Sequence, residues 1–236
     1  MTKTLTTLKD ILTPLCKPRR LVWANEDWEH VFTQWRPIAR EELEELFTSP
    51  RTVSGPVEVD FSKSERGQVL YLPPLERNPR CVPILSLYCK LNNQQSIAKF
   101  RVMLVCLDNE GKPYGIGFRM ETPESLNQNL NTPVNEGIHD FHHAQLIRKF
   151  GQKALDRKLQ VDCPSWIPES QPSFPLPAKC PVMLLLCLIL TLYGKRYYKQ
   201  FFDENGIFEI EQYQKKLDPW INGRGKMPRL RGRNES

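Results

Sequence analysis

The sequence predicts an α+β fold: a central antiparallel sheet, N-terminal and C-terminal helices packed on it, and a long proline-rich strap joining sheet to C-terminal helix. Three observations carry that expectation. Runs rich in Val, Ile, Leu, Tyr and Phe concentrate between residues 57 and 147. Apolar residues recur at helical spacing before residue 50 and again from Val182. Between these regions Pro164, Pro168, Pro172, Pro175, Pro177 and Pro181 crowd a stretch that must be extended, because proline donates to neither helix nor ladder. The organisation that follows is a helical segment over 1–50, a domain over 51–221 (sheet about 57–147, strap 163–181, helix 182–202) and a flexible tail over 222–236.

The elements follow in order. Leu5, Leu8, Ile11 and Leu12 share a helix face, and Pro14 is expected to stop it. Asn25 can cap a second helix whose stripe is Trp28, Val31, Phe32 and Trp35. Glu41 to Phe47 reads as a helix with an acidic outer face and Leu43, Leu46 and Phe47 inside. Val57–Phe61 and Val69–Leu72 are short strands among turns. Val82–Leu91, Phe100–Leu107 and Tyr114–Glu121 are the main strands, and Phe100–Leu107 is apolar on both faces from Val102, as a central strand must be. Asp108–Lys112 supplies the hairpin turn. In Tyr114–Glu121, Gly115, Gly117, Arg119 and Glu121 share the face opposite Tyr114, Ile116, Phe118 and Met120; small residues there allow a close approach or mark a bulge. Gly137–Ile147 is a further strand, giving about four in all, and residues 148–160 form a basic helix. Val182–Tyr193 is a buried helix, and Phe208–Leu217 a last short one. The expected core is Leu85, Leu87, Phe100, Val102, Leu104, Ile116, Phe118, Leu184, Leu188 and Leu192. Trp166 and Phe174 are expected to pin the strap.

The chain has 236 residues, 40% hydrophobic and 25% charged, which excludes disorder throughout and fits one domain with appendages. The N-terminus lacks the apolar core of a signal peptide. The longest apolar run, Val182–Tyr193, is too short to span a bilayer. Seven cysteines, an odd number with no CxxC pair, are the usage of a reducing compartment and predict a cytoplasmic protein.

Charge is segregated. Arg224, Lys226, Arg229, Arg231 and Arg233 carry +5 of the chain's net +6, so the body is near neutral. Arginine forks pair with phosphates, and Lys195 and Arg196, beside Tyr197 and Tyr198, extend the same chemistry. These seven cations predict binding of nucleic acid or another polyanion. The PxxP segment Pro172–Pro177 offers a second docking mode, to a protein partner's aromatic groove, set against service as a brace across its own domain.

Three of the four histidines lie in His139-Asp140-Phe141-His142-His143. On a strand, His139 and His143 share one face, where Arg119 and Glu121 of the neighbouring strand can join them. Base, anion clamp and acid would then meet, the ingredients of acid–base or metal-assisted hydrolysis. The same histidines also suit a half-buried sheet surface. HExxH, HxH, GxSxG and the Gly-rich phosphate loops are absent, so no cofactor or particular metal is indicated. Two functions stand: a non-enzymatic binding or accessory protein in a nucleic-acid-handling assembly, which the missing catalytic motifs favour, and a histidine-dependent hydrolase or nuclease.

Overall fold

A computed structural model describes residues 3–16, 38–49, 51–52, 57–60, 70–75, 81–91, 96–107, 110, 113–122, 142–147, 173–207 and 210–221. The second helix over 25–36, the basic helix over 148–160, the strap over 163–172, His139 and the tail lie outside these residues. Among the described residues the helices are α1 (Lys3–Leu15), α2 (Arg40–Thr48), α3 (Pro181–Asn205) and α4 (Glu211–Ile221). The strands are β1 (Arg51–Thr52), β2 (Val57–Asp60), β3 (Leu70–Tyr71), β4 (Cys81–Leu91), β5 (Ser96–Leu107), β6 (Pro113–Glu121), β7 (His143–Ile147) and β8 (Ser173–Pro175). They form one sheet, β1-β2-β4-β5-β6-β7-β8, with β3 on the β2 side of β4 and every pairing antiparallel. The fold is thus α+β, with six strands of three or more residues among the described residues rather than about four.

Strand parity decides what faces the helices. Leu85, Leu87, Cys89 and Leu91 of β4, Ala98, Phe100 and Val102 of β5, and Met120 of β6 join one core with α1, α2, α3 and α4. Their partners in register, such as Leu87↔Phe100 and Phe100↔Met120, carry the layer across the sheet. Of the expected core, Leu85, Leu87, Phe100, Val102, Leu184 and Leu188 are buried. Leu104, Phe118 and Leu192 pack on the core from half-buried positions, and Ile116 is also only half-buried. The three strand residues lie toward the Tyr114 end of the helix-covered face, where Tyr114 itself is exposed.

Pro83 sits inside the central strand β4 without breaking it. The carbonyls of Pro83 and Cys81 accept from Leu72 N and Leu75 N, so odd residues of β4 point their backbone groups away from β5. The N–H that proline lacks is therefore missing on the side where β3 is ending, and the β4–β5 ladder is intact.

Helix ends follow local chemistry. α1 runs one residue past Pro14 instead of stopping there, and Cys16 N closes the end on the Leu12 and Thr13 carbonyls. Glu42 reaches back to accept from Ala39 N at 3.1 Å, starting α2 with its acids in the first turn. α3 begins with Pro181 in its first turn after Cys180, is buried all round from Pro181 to Ile189, and continues beyond the expected end at residue 202. It kinks at Gly194, whose φ of 74° and ψ of 176° leave the helical region. α4 starts at Glu211 and reaches Ile221, later at both ends than expected.

Ser173–Pro175 corrects the expectation that proline keeps this segment out of the ladder. It pairs with β7 as an edge strand, with Leu176 N donating to His142 O at 2.8 Å. Even residues thus face β7, and Pro175 turns its missing donor outward. Phe174 is 54% exposed, so it does not pin the segment.

Candidate functional site

The sheet face away from the helices carries the chemistry. Thr122 N donates to Ala98 O, which sets the backbone parity on β5 and β6. Lys99↔Glu121 is then a non-hydrogen-bonded pair, with side chains in the closer of the two antiparallel spacings, and Glu121↔His143 a hydrogen-bonded one. The result is a row across three strands: Lys99, Glu121, His143. The next row is Arg101, Arg119, Gln145.

Glu121 is the centre. Its carboxylate lies 3.7 Å from Lys99 Nζ, 3.3 Å from Arg119 Nε and 3.6 Å from His143 Nε2. These are ion contacts, longer than good hydrogen bonds. The short bond of the cluster is Arg119 Nη2 donating to Gln145 Oε1 at 2.6 Å. Glu121 and His143 are 1% and 0% exposed, while Lys99 and Arg119 keep about a quarter of their side chains in solvent. Burial works to raise the Glu121 carboxyl, but the His143 contact and the Arg119 and Lys99 cations outweigh it and hold the pKa below its ordinary value. His142, half-buried, is pushed down to about 4 by burial, with His143 adding in the same sense.

The structure therefore brings together three of the four residues the sequence nominates, Arg119, Glu121 and His143; His139 lies outside the described residues. Lys99 and Gln145 were missed. Strand parity offered the signal, since Lys99 falls on the polar face once β5 and β6 are in register. An ionised carboxylate beside an imidazole can orient the ring and balance its charge. Neither side chain touches solvent, so chemistry at this pair requires surrounding chain to open. Among the described residues no group of three His, Cys, Asp or Glu side chains is placed to hold a metal.

Lys195 and Arg196 lie elsewhere, on α3, which packs on the opposite face of the sheet. Beyond the Gly194 kink the helix divides cleanly. Lys195, Arg196 and Lys199 are exposed, and their spacing of one, three and four residues puts them on one side. Tyr198, Phe201 and Phe202 are buried on the other. Tyr197 stacks between Tyr193 and Phe201, at centroid distances of 4.5 and 5.9 Å. The tyrosines thus anchor the helix, and the three cations face outward together with Gln200, Asp203 and Glu204. A cleft of about 550 Å³ between α1, α2 and the end of α3 holds the ion pairs Lys9–Asp10 and Arg40–Glu44, so its charges satisfy one another.

No family model, curated protein or solved structure matches the chain. No described helix is long and apolar enough to cross a membrane.

Proposed function

We propose that this protein is a non-enzymatic, polyanion-binding accessory protein whose ligand is the phosphate backbone of a nucleic acid. The observation that carries the reading is the outward face of α3: Lys195, Arg196 and Lys199 exposed together, backed by a buried aromatic layer that fixes the helix beneath them. No acid enters this segment before Asp203. Three cations on one helical side can neutralise successive phosphates, and Arg224, Lys226, Arg229, Arg231 and Arg233 follow in sequence as a second cationic arm. Such binding tracks phosphates and is indifferent to base sequence.

The test is a salt titration of oligonucleotide binding by the full chain. The variant Lys195→Gln/Arg196→Gln/Lys199→Gln removes up to three phosphate contacts and lowers the slope of log K against log salt by about two to three units. Truncation before residue 222 lowers it further. A chain whose binding is unaltered by both changes does not use these cations, and a full chain that binds neither single nor double strands sinks the proposal.

A hydrolase centred on His139, His143, Arg119 and Glu121 is the second reading, favoured by the 3.6 Å contact of His143 with Glu121. It requires cleavage of the oligonucleotide in the same incubation, lost in His143→Asn with binding retained.

A further inference from the structure

The helix-covered face holds a second cluster, at the Tyr114 end of the sheet. Cys81, Cys106 and Tyr114 are direct neighbours across β4, β5 and β6. The backbone directions define their geometry from both sides. Cys81 O is committed to Leu75 N, away from β5, and Ala98 O to Thr122 N, toward β6. By alternation Cys106, eight residues on from Ala98, also points its backbone toward β6. Cys81↔Cys106 is therefore a non-hydrogen-bonded antiparallel pair. Cα atoms at such pairs lie about 4.5 Å apart with side chains at closest approach, inside the span of about 4.4 to 6.8 Å that a disulfide bridges.

The two thiols are hydrogen-bonded to each other and are not equivalent. Cys81 is 4% exposed, and Cys106 is half-buried, beside the exposed Tyr114. Donating its proton to Cys106 and lying buried both drive the Cys81 thiol up. The Cys81 bond pulls the Cys106 thiol down, and although burial opposes this, a hydrogen bond from Tyr114 adds to the lowering. Cys106 is thus the reachable, thiolate-favouring member and Cys81 the protected one.

We propose that Cys81 and Cys106 form a closable dithiol, a redox site that hydrogen peroxide converts to a cross-strand disulfide. The Cys106 thiolate attacks the peroxide oxygen, the O–O bond breaks, and hydroxide leaves and is protonated to water. Cys106 becomes a sulfenic acid. The Cys81 sulfur then attacks that sulfur, the S–O bond breaks, and the Cys81 proton leaves with the hydroxide as a second water. Two thiols have lost two electrons to one peroxide, and a dithiol reductant reverses the change.

The experiment treats the full chain with equimolar hydrogen peroxide, alkylates remaining thiols and maps peptides by mass spectrometry. The expected product is a peptide pair joined through Cys81 and Cys106 with loss of two hydrogens, restored by dithiothreitol. Cys81→Ser accumulates a dimedone-reactive sulfenic acid on Cys106, and Cys106→Ser leaves Cys81 fully alkylated. Both thiols left free in the peroxide-treated wild-type chain would overturn the assignment. So would oxidation of Cys81 in Cys106→Ser at the wild-type rate. The wild-type map decides the question even if a serine variant fails to fold.

Discussion

Gly117 shows how one hydrogen in place of a methyl positions the polar cluster. A Cβ built there would lie 2.7 Å from Ile147 Cγ1, 2.9 Å from Ile147 O and 3.0 Å from Met103 Cε. The obstruction includes backbone, so β7 could not hold its register against β6 two residues from Arg119↔Gln145. Gly117→Ala is expected to destabilise the chain by about 1 to 3 kcal/mol, the range for overpacking a filled interior, measured as a lower urea midpoint. Ile147→Ala in the same chain should recover part of the loss, whereas unchanged stability of the single variant would show that β7 can move. The sequence already put Gly115 and Gly117 on the face of Arg119 and Glu121, so the close approach was legible. Its occupant was not, because strand pairing between residues 117 and 147 is a long-range fact that no local pattern contains. Lys99 escaped for the same reason: its place beside Glu121 depends on register.

At the scale of elements, hydrophobic spacing located α1, α2, the three long strands and the start of α3. It failed where chain direction changes without changing composition. The pattern carried α3 to residue 202 but did not mark the break at Gly194, beyond which Tyr198, Phe201 and Phe202 resume burial. Likewise Ser173–Pro175 looked unfit for a ladder until an edge position let Pro175 point outward. The Gly194 kink is a conformational requirement, not a packing one: nothing lies within 4 Å of a Cβ added there, yet its φ of 74° with extended ψ belongs to glycine almost alone. Gly194→Ala is expected to cost about 1 to 3 kcal/mol through backbone strain and to turn the Lys195–Arg196–Lys199 side away from its aromatic backing. Thermal unfolding and the salt slope of oligonucleotide binding should change together. A lowered melting temperature with an unaltered slope would separate the kink from the binding surface.

Across the whole molecule, the two sheet faces are held by different physics, and acid acts on both. The helix-covered face is held by apolar burial. The other face buries one carboxylate among Lys99, Arg119 and His143, while His142, one residue before His143, falls on the opposite side of the chain. His142 stays neutral in the fold down to about 4 against an ordinary value of 6.5, so the unfolded chain takes up a proton there that the folded chain refuses. Stability must fall as pH drops from 6.5 toward 4. Glu121 acts lower: its folded pKa is depressed, so its contribution is complete above the ordinary carboxylate value of 4.5 and is lost as pH falls through the folded value. Urea midpoints measured from pH 8 to 3 should therefore hold level, decline, and decline again. His142→Gln should abolish the first decline. Glu121→Gln should abolish its part of the second and lower the neutral plateau by about 3 kcal/mol, the lower end for breaking a buried ion pair, because Lys99 and Arg119 keep some solvent. A profile unchanged by Glu121→Gln would mean that the cluster is already dispensable to the fold, and that β5, β6 and β7 are joined by their ladders and the apolar face alone.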